Sequence, residues 1–141
     1  MVEMTVEYEG ELRCTGQHGP SGTRVVTDAP VDNHGRGQSF SPTDLLATSL
    51  GACMLTIMGI RAAREGWDVA GTRARVVKHM VADPRRRVGR LEVSVSVPVE
   101  LDASARDALR EAALSCPVFE SLHPAIDVPV HFEWGSAAPA P

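Results

Sequence analysis

The sequence predicts an α+β fold, with helices segregated from antiparallel strands. Two observations carry this. A long apolar segment with helical start and stop signals spans residues 41–66, and period-two alternation flanks it on both sides. The resulting order is strands, long helix, hairpin, helix, strand. At 141 residues, a single domain over residues 1–135 is expected, with residues 136–141 a disordered tail.

The first segment, MTVEYEGELRCTG, alternates at Met4, Val6 and Tyr8, then at Leu12 and Cys14. A turn-rich GQHGPSG link leads to TRVVTDAPV, so an antiparallel meander is expected. DNHGRGQ, residues 32–38, reads as a loop by composition. Ser41 then fits an N-cap, Pro42 the first helical position and Asp44 the third. Ser-x-x-Asp resembles a capping box, and proline at the first position loses no hydrogen bond. The helix should run to about Glu65, with Gly66 as the left-handed stop and Arg61 and Arg64 at its negative end.

Strands return over residues 67–80. After a turn at residues 83–89 comes RLEVSVSVPVEL, with Leu91, Val93, Val95 and Val97 on one face and Glu92, Ser94 and Ser96 on the other. The two strands make a hairpin. Asp102 caps a second helix over residues 103–114, whose stripe is Ala105, Leu109, Ala112 and Ala113. Pro117 cannot continue that helix but can begin another, which places Cys116 at a helix N-terminus. Residues 127–134, DVPVHFEW, read as a last strand.

Composition narrows the function. The formal net charge of -4 argues against a nucleic-acid binder. PRRRVGR, residues 84–90, reads as a solvated hairpin tip. The N-terminus lacks the charge and apolar run of a signal peptide, so a cytoplasmic protein is expected. The 16 uncharged residues 45–60 include Thr48, Ser49 and Thr56. They fall short of the roughly 20 a membrane span needs and read as a buried helix. No phosphate loop, GxSxG, HExxH or CxxC is present, so neither a cofactor nor a metal is expected. A trio of His34, Cys116 and His123 is the one conceivable metal set.

Three isolated cysteines remain, Cys14, Cys53 and Cys116. Each is either an inert core residue or a reactive thiol. Cys14 reads as an in-facing strand residue. Cys53 lies mid-helix among Leu50, Met54 and Ile57. As a nucleophile it would need a cation from elsewhere, with Arg36, Arg24 and Arg13 as candidates. Cys116 has free amides of the following turn to draw it toward thiolate.

Ser41-Pro42-Thr43-Asp44-Leu45-Leu46 with Gly51-Ala52-Cys53, followed 63 positions on by Cys116 in Ser115-Cys116-Pro117-Val118, resembles the OsmC/Ohr family. These are osmotically induced and organic-hydroperoxide-resistance proteins, and the strings sit closest to an OsmC-like branch. The resemblance implies an intertwined α+β homodimer with the long helices at its centre. It also implies a thiol peroxidase. Cys53 would attack an organic hydroperoxide, Cys116 would resolve the sulfenic acid as a disulfide, and an external dithiol would reduce the pair. In the family an Arg held by a Glu activates the thiol. Here Thr43 occupies the Glu position, ten residues before the cysteine. That leaves Asp44 beside it and Arg36 as the candidate partners. A non-catalytic protein binding a small apolar ligand at the dimer interface is the alternative. A thiol enzyme acting on reactive sulfur or an electrophile is a third reading.

Overall fold

The computed structural model describes residues 1–136, so the expected tail falls almost wholly outside the described residues. The chain forms two compact units, residues 1–46 and residues 47 onward.

The first unit is the expected meander. β1 (Met4–Gly10), β2 (Arg13–His18) and β3 (Arg24–Asp28) pair antiparallel in sequence order. Glu11 and Leu12 turn the first hairpin with φ of 50° and 64°. Both values lie in the left-handed region that tight hairpin turns require. The register sets Tyr8 opposite Cys14 and Cys14 opposite Thr27. Met4, Val6 and Tyr8 share a face as the alternation predicts, but that face is open, with the three residues 63%, 71% and 63% exposed.

Residues 29–40 are cinched by their own backbone. Asp28 is fully buried and its Oδ2 accepts the Gln38 N–H at 2.9 Å. The Gly35 N–H donates to the Pro30 carbonyl at 3.0 Å and the Gly37 N–H to the Ala29 carbonyl at 3.1 Å. A β-carbon on Gly35 would lie 1.7 Å from the Ala29 carbonyl oxygen, so only glycine fits. A short 3-10 turn at Val31–Asn33 lies inside this loop.

The helix α1 spans Pro42–Glu65, as its caps predict. The capping box closes in both directions. The Asp44 N–H donates to Ser41 Oγ at 3.1 Å, and the Ser41 N–H donates to Asp44 Oδ2 at 2.8 Å. Gly66 stops the helix at φ 75°.

In the second unit, β4 (Arg73–Val81) and β5 (Arg87–Val97) form the expected hairpin. Leu91, Val93, Val95 and Val97 are completely buried, as the alternation predicts. Four such side chains contribute on the order of 1.5–3 kcal/mol each through burial. α1 lies on β4 through Gly51, whose missing β-carbon would sit 3.1 Å from Val76 Cγ2 and 3.5 Å from Ala74 Cβ. By length and composition α1 could cross a membrane, with a mean hydropathy of 1.6. Its contact with β4 instead makes it a core helix. The charge-free run is not buried all round, however. Ala47, Leu50, Gly51, Met54, Met58 and Ala62 form one buried stripe at helical spacing, while Ile60 remains 46% exposed.

Two further helices follow, α2 (Ala103–Leu114) and α3 (Pro117–Glu120). Asp102 caps α2 by accepting the Ala105 N–H at 2.8 Å, and the expected stripe of Ala105, Leu109, Ala112 and Ala113 is buried. The last strand, β6 (Val130–Trp134), starts later than the sequence suggests. It also pairs with β5 in parallel, so the sheet β4-β5-β6 is mixed and not purely antiparallel. The helical crossover through α2 and α3 is the reason, since it returns the chain in the direction of β5. Phe132 and Trp134 of β6 stack at 5.8 Å, and the Arg110 guanidinium lies 5.5 Å from the Trp134 ring centre. Arg106 lies over the same ring at 5.9 Å.

Two glycines separate steric necessity from tolerance. Gly35→Ala should cost about 3 kcal/mol or more, because the clash is with backbone. Gly59→Ala, with nothing within 4 Å of the new β-carbon, should be neutral or stabilise by about 0.5–1 kcal/mol. Urea unfolding of both variants measures the contrast.

Candidate functional site

α1 carries Cys53 near its middle, one residue before the fully buried Met54, and the residue is part-buried. Its position on the core helix is set by the Gly51 contact two residues earlier. Cys116 arrives from a different direction. α2 ends at Leu114, Pro117 opens α3, and Cys116 caps the new turn in extended conformation. Its sulfur accepts the Phe119 N–H at 3.4 Å and is completely buried.

The fold brings these two thiols together. Cys53 lies close enough to Cys116 to act on its ionisation, and both cysteines are free. The expectation that Cys116 is drawn toward thiolate is not met. Burial pushes its pKa above the ordinary thiol value, the Phe119 and Val118 amides pull it back, and the neighbouring Cys53 raises it further. Desolvation outweighs two backbone donors because the sulfur has no access to water. The sequence shows the amides but not the depth at which they lie.

The other predicted residues have partners of their own. Arg36 forms an ion pair with Glu11 at 2.9 Å, with both side chains largely exposed. Asp44 closes the capping box of α1. Thr43 hydrogen-bonds through its hydroxyl to Ser41 Oγ at 3.1 Å. Arg24 donates to Gln17 at 3.2 Å. Arg13 has a buried Nε with no partner, and so does Asp28 Oδ1, its neighbour across the β2–β3 pair. Nothing in the sequence singles out Asp28. It reads as one more polar residue at a strand end, yet it is the carboxylate that closes the loop. Cys14 is part-buried on the open face of the meander. Among the described residues no group of three or more His, Cys, Asp or Glu side chains could hold a metal ion. His123 accepts the Ala125 N–H through Nδ1 at 3.1 Å.

The chain thus presents an α+β frame with two neighbouring free cysteines, Cys53 part-buried and Cys116 buried. The chain belongs to the OsmC-like protein family, whose family model matches residues 35–131. It is 47% identical to a candidate osmotic-stress-induced and detoxification-response protein from Psychrobacter arcticus, with a TM-score of 0.90 over 94% of this chain and 96% of that one. The organic hydroperoxide resistance protein OsmC from Legionella pneumophila shares the fold at 12% identity, with a TM-score of 0.77 over 94% and 96%. An organic hydroperoxide resistance protein from Elizabethkingia anophelis does so at 15%, with a TM-score of 0.74 over 95% and 96%. No functionally curated protein matches the chain.

Because the fold favours the neutral Cys116 thiol, its contribution to stability holds at low pH and is lost as the pH rises through the raised pKa. In native reduced protein at neutral pH, iodoacetamide should therefore label Cys53 well before Cys116. Labelling of Cys116 should grow only toward alkaline pH. Timed alkylation with peptide mapping tests this, and native Cys116 reacting first at neutral pH would contradict it.

Proposed function

We propose that the chain is a homodimeric, thiol-dependent reductase of organic hydroperoxides. The observation that carries this reading is the pairing of a part-buried free Cys53 on α1 with a neighbouring buried free Cys116 at the start of α3. The Cys53 thiolate attacks the distal peroxide oxygen, and the O–O bond breaks. The alkoxide leaves and takes a proton as the alcohol, and Cys53 becomes a sulfenic acid. Cys116 then attacks the Cys53 sulfur, water leaves, and a disulfide forms. An external dithiol restores both thiols, as a reducing cytoplasm would allow. The apolar sequence neighbours of Cys53 on α1, Leu50, Met54 and Ile57, suit alkyl or lipid hydroperoxides better than hydrogen peroxide.

Arg36 and Asp44 are the proposed activating groups. Arg36 would have to exchange Glu11 for the reacting centre, and Asp44 would act from its place in the helix cap. Support for the dimer comes from two apolar surfaces the single chain leaves open. One is the outer side of α1 at Ile60, and the other is the Met4, Val6 and Tyr8 face. A second reading rests on Thr43, which supplies a hydroxyl where the family places a carboxylate. On that reading the protein binds a small apolar ligand without reacting, and Cys53→Ser would bind it unchanged.

The deciding experiment is a mass-resolved titration. One equivalent of cumene hydroperoxide should consume both thiols of the pair and add no oxygen. Cys116→Ser should hold a sulfenic acid at Cys53, and Cys53→Ser should lose peroxide consumption by about 100-fold or more. Wild-type protein that keeps both thiols through the titration would sink the proposal. Arg36→Gln should slow Cys53 oxidation by roughly tenfold, the kinetic equivalent of about 1.4 kcal/mol. Sedimentation at micromolar concentration should give twice the chain mass.

A further inference from the structure

Arg13 Nε and Asp28 Oδ1 are both buried, and neither has a hydrogen-bond partner among the described residues. They belong to one cross-strand pair. Arg13 opens β2, Asp28 ends β3, and the antiparallel register sets them directly opposite. Residues so opposed project from the same face of a sheet, with β-carbons about 5 Å apart. Asp28 is 0% exposed, and its Oδ2 alone is satisfied, by the Gln38 N–H at 2.9 Å. A buried carboxylate oxygen without a donor is costly, and the register supplies an unused guanidinium N–H one strand away. We propose that Arg13 Nε–H donates to Asp28 Oδ1, directly or through one ordered water, and that this pair latches residues 29–40 in place. Given the redox reading above, Arg13 and Asp28 are then positioning residues for Arg36, which that loop carries.

Asp28 is where the loop leaves the meander and also where it returns. Its N–H donates to the Phe40 carbonyl at 3.1 Å, its carboxylate holds Gln38, and Ser39 Oγ donates to the Val26 carbonyl at 2.7 Å. The Ala29 N–H donates to the Leu12 carbonyl at 3.2 Å, so the β1–β2 turn meets the same point. A second tie lies farther out, the ion pair of Arg36 with Glu11, whose side chains are largely exposed. An exposed pair of this kind holds little by itself. The inner pair holds more, because its charges are shielded from water and one of them has nowhere else to turn. When Arg36 exchanges Glu11 for the reacting centre, the outer tie is given up and the inner latch keeps the loop folded. Four charges gather here, Glu11 and Asp28 against Arg13 and Arg36, and loss of Arg13 leaves the buried acid uncompensated. The latch requires access to neither Arg13 nor Asp28, so burial against a second chain would only strengthen it. Arg13, one of the cations the sequence offers to Cys53, is thereby assigned to Asp28.

The test is amide hydrogen exchange on the full-length protein, read residue by residue by NMR. Arg13→Met, which keeps an unbranched side chain but no donor, should speed exchange at Gly35, Gly37 and Gln38 by at least about tenfold. Exchange in α1 and β5 should not change. Asp28→Asn should loosen the same three amides. The double variant should exchange no faster than the single ones, since each removes the same interaction. Unchanged loop exchange in Arg13→Met, or two effects that multiply, overturns the latch. Should Asp28→Asn fail to fold, Arg13→Met decides alone. Arg13→Met should also slow Cys53 oxidation by cumene hydroperoxide about as much as Arg36→Gln does, and the two together should be no slower than Arg36→Gln. A loosened loop with Cys53 oxidised at the wild-type rate overturns the positioning role. If wild-type protein consumes no hydroperoxide, the peroxidase reading fails, and loop exchange still decides the latch.

Discussion

The second unit depends on how closely α1 can lie against β4. Gly51 sets that distance, because any side chain there would meet Val76 at 3.1 Å from its first carbon. The close approach lets Leu50, Met54 and Met58 reach full burial. It also fixes the height and rotation of Cys53, two residues along the same helix. A larger residue at position 51 would push α1 outward and carry the thiol with it. The packing that stabilises this unit and the placement of the thiol pair are thus one constraint.

Local chemistry was legible in the sequence wherever it acts through backbone groups. Ser41, Pro42, Asp44 and Gly66 mark the ends of α1, and Asp102 and Pro117 mark the starts of α2 and α3. Each signal is a hydrogen bond or a dihedral that one residue type satisfies best. The strict alternation of β5 was equally clear, because one side of it is wholly buried. Long-range relations were less legible. The parallel entry of β6 follows from the path of two helices, and no residue in DVPVHFEW encodes it. The exposed Met4, Val6 and Tyr8 have a buried residue's periodicity but no wall within the chain.

The candidate site divides along the same line. The motif around Cys53 and the Cys116-Pro117 step are short-range patterns, and Cys53 is one of the groups that act on the Cys116 thiol. The acidity of Cys116 was misread because it is a competition. Amide donors are visible in sequence, while the depth of the sulfur belongs to the tertiary structure, and depth prevails. Arg36 illustrates the same difficulty. Its partner Glu11 lies 25 positions away across the meander turn, a distance over which spacing says nothing.

The chain contains two tryptophans, and only Trp134 sits beneath arginines. Those arginines belong to α2, the helix that leads directly into Ser115 and Cys116. A guanidinium over an indole perturbs its emission, so Trp134 is an optical gauge wired to the helix that delivers the buried sulfur. Any strain that disulfide closure puts on α2 would reach the ring through Arg106 and Arg110. Trp67, beyond the other end of α1, stands outside that linkage and serves as an internal reference.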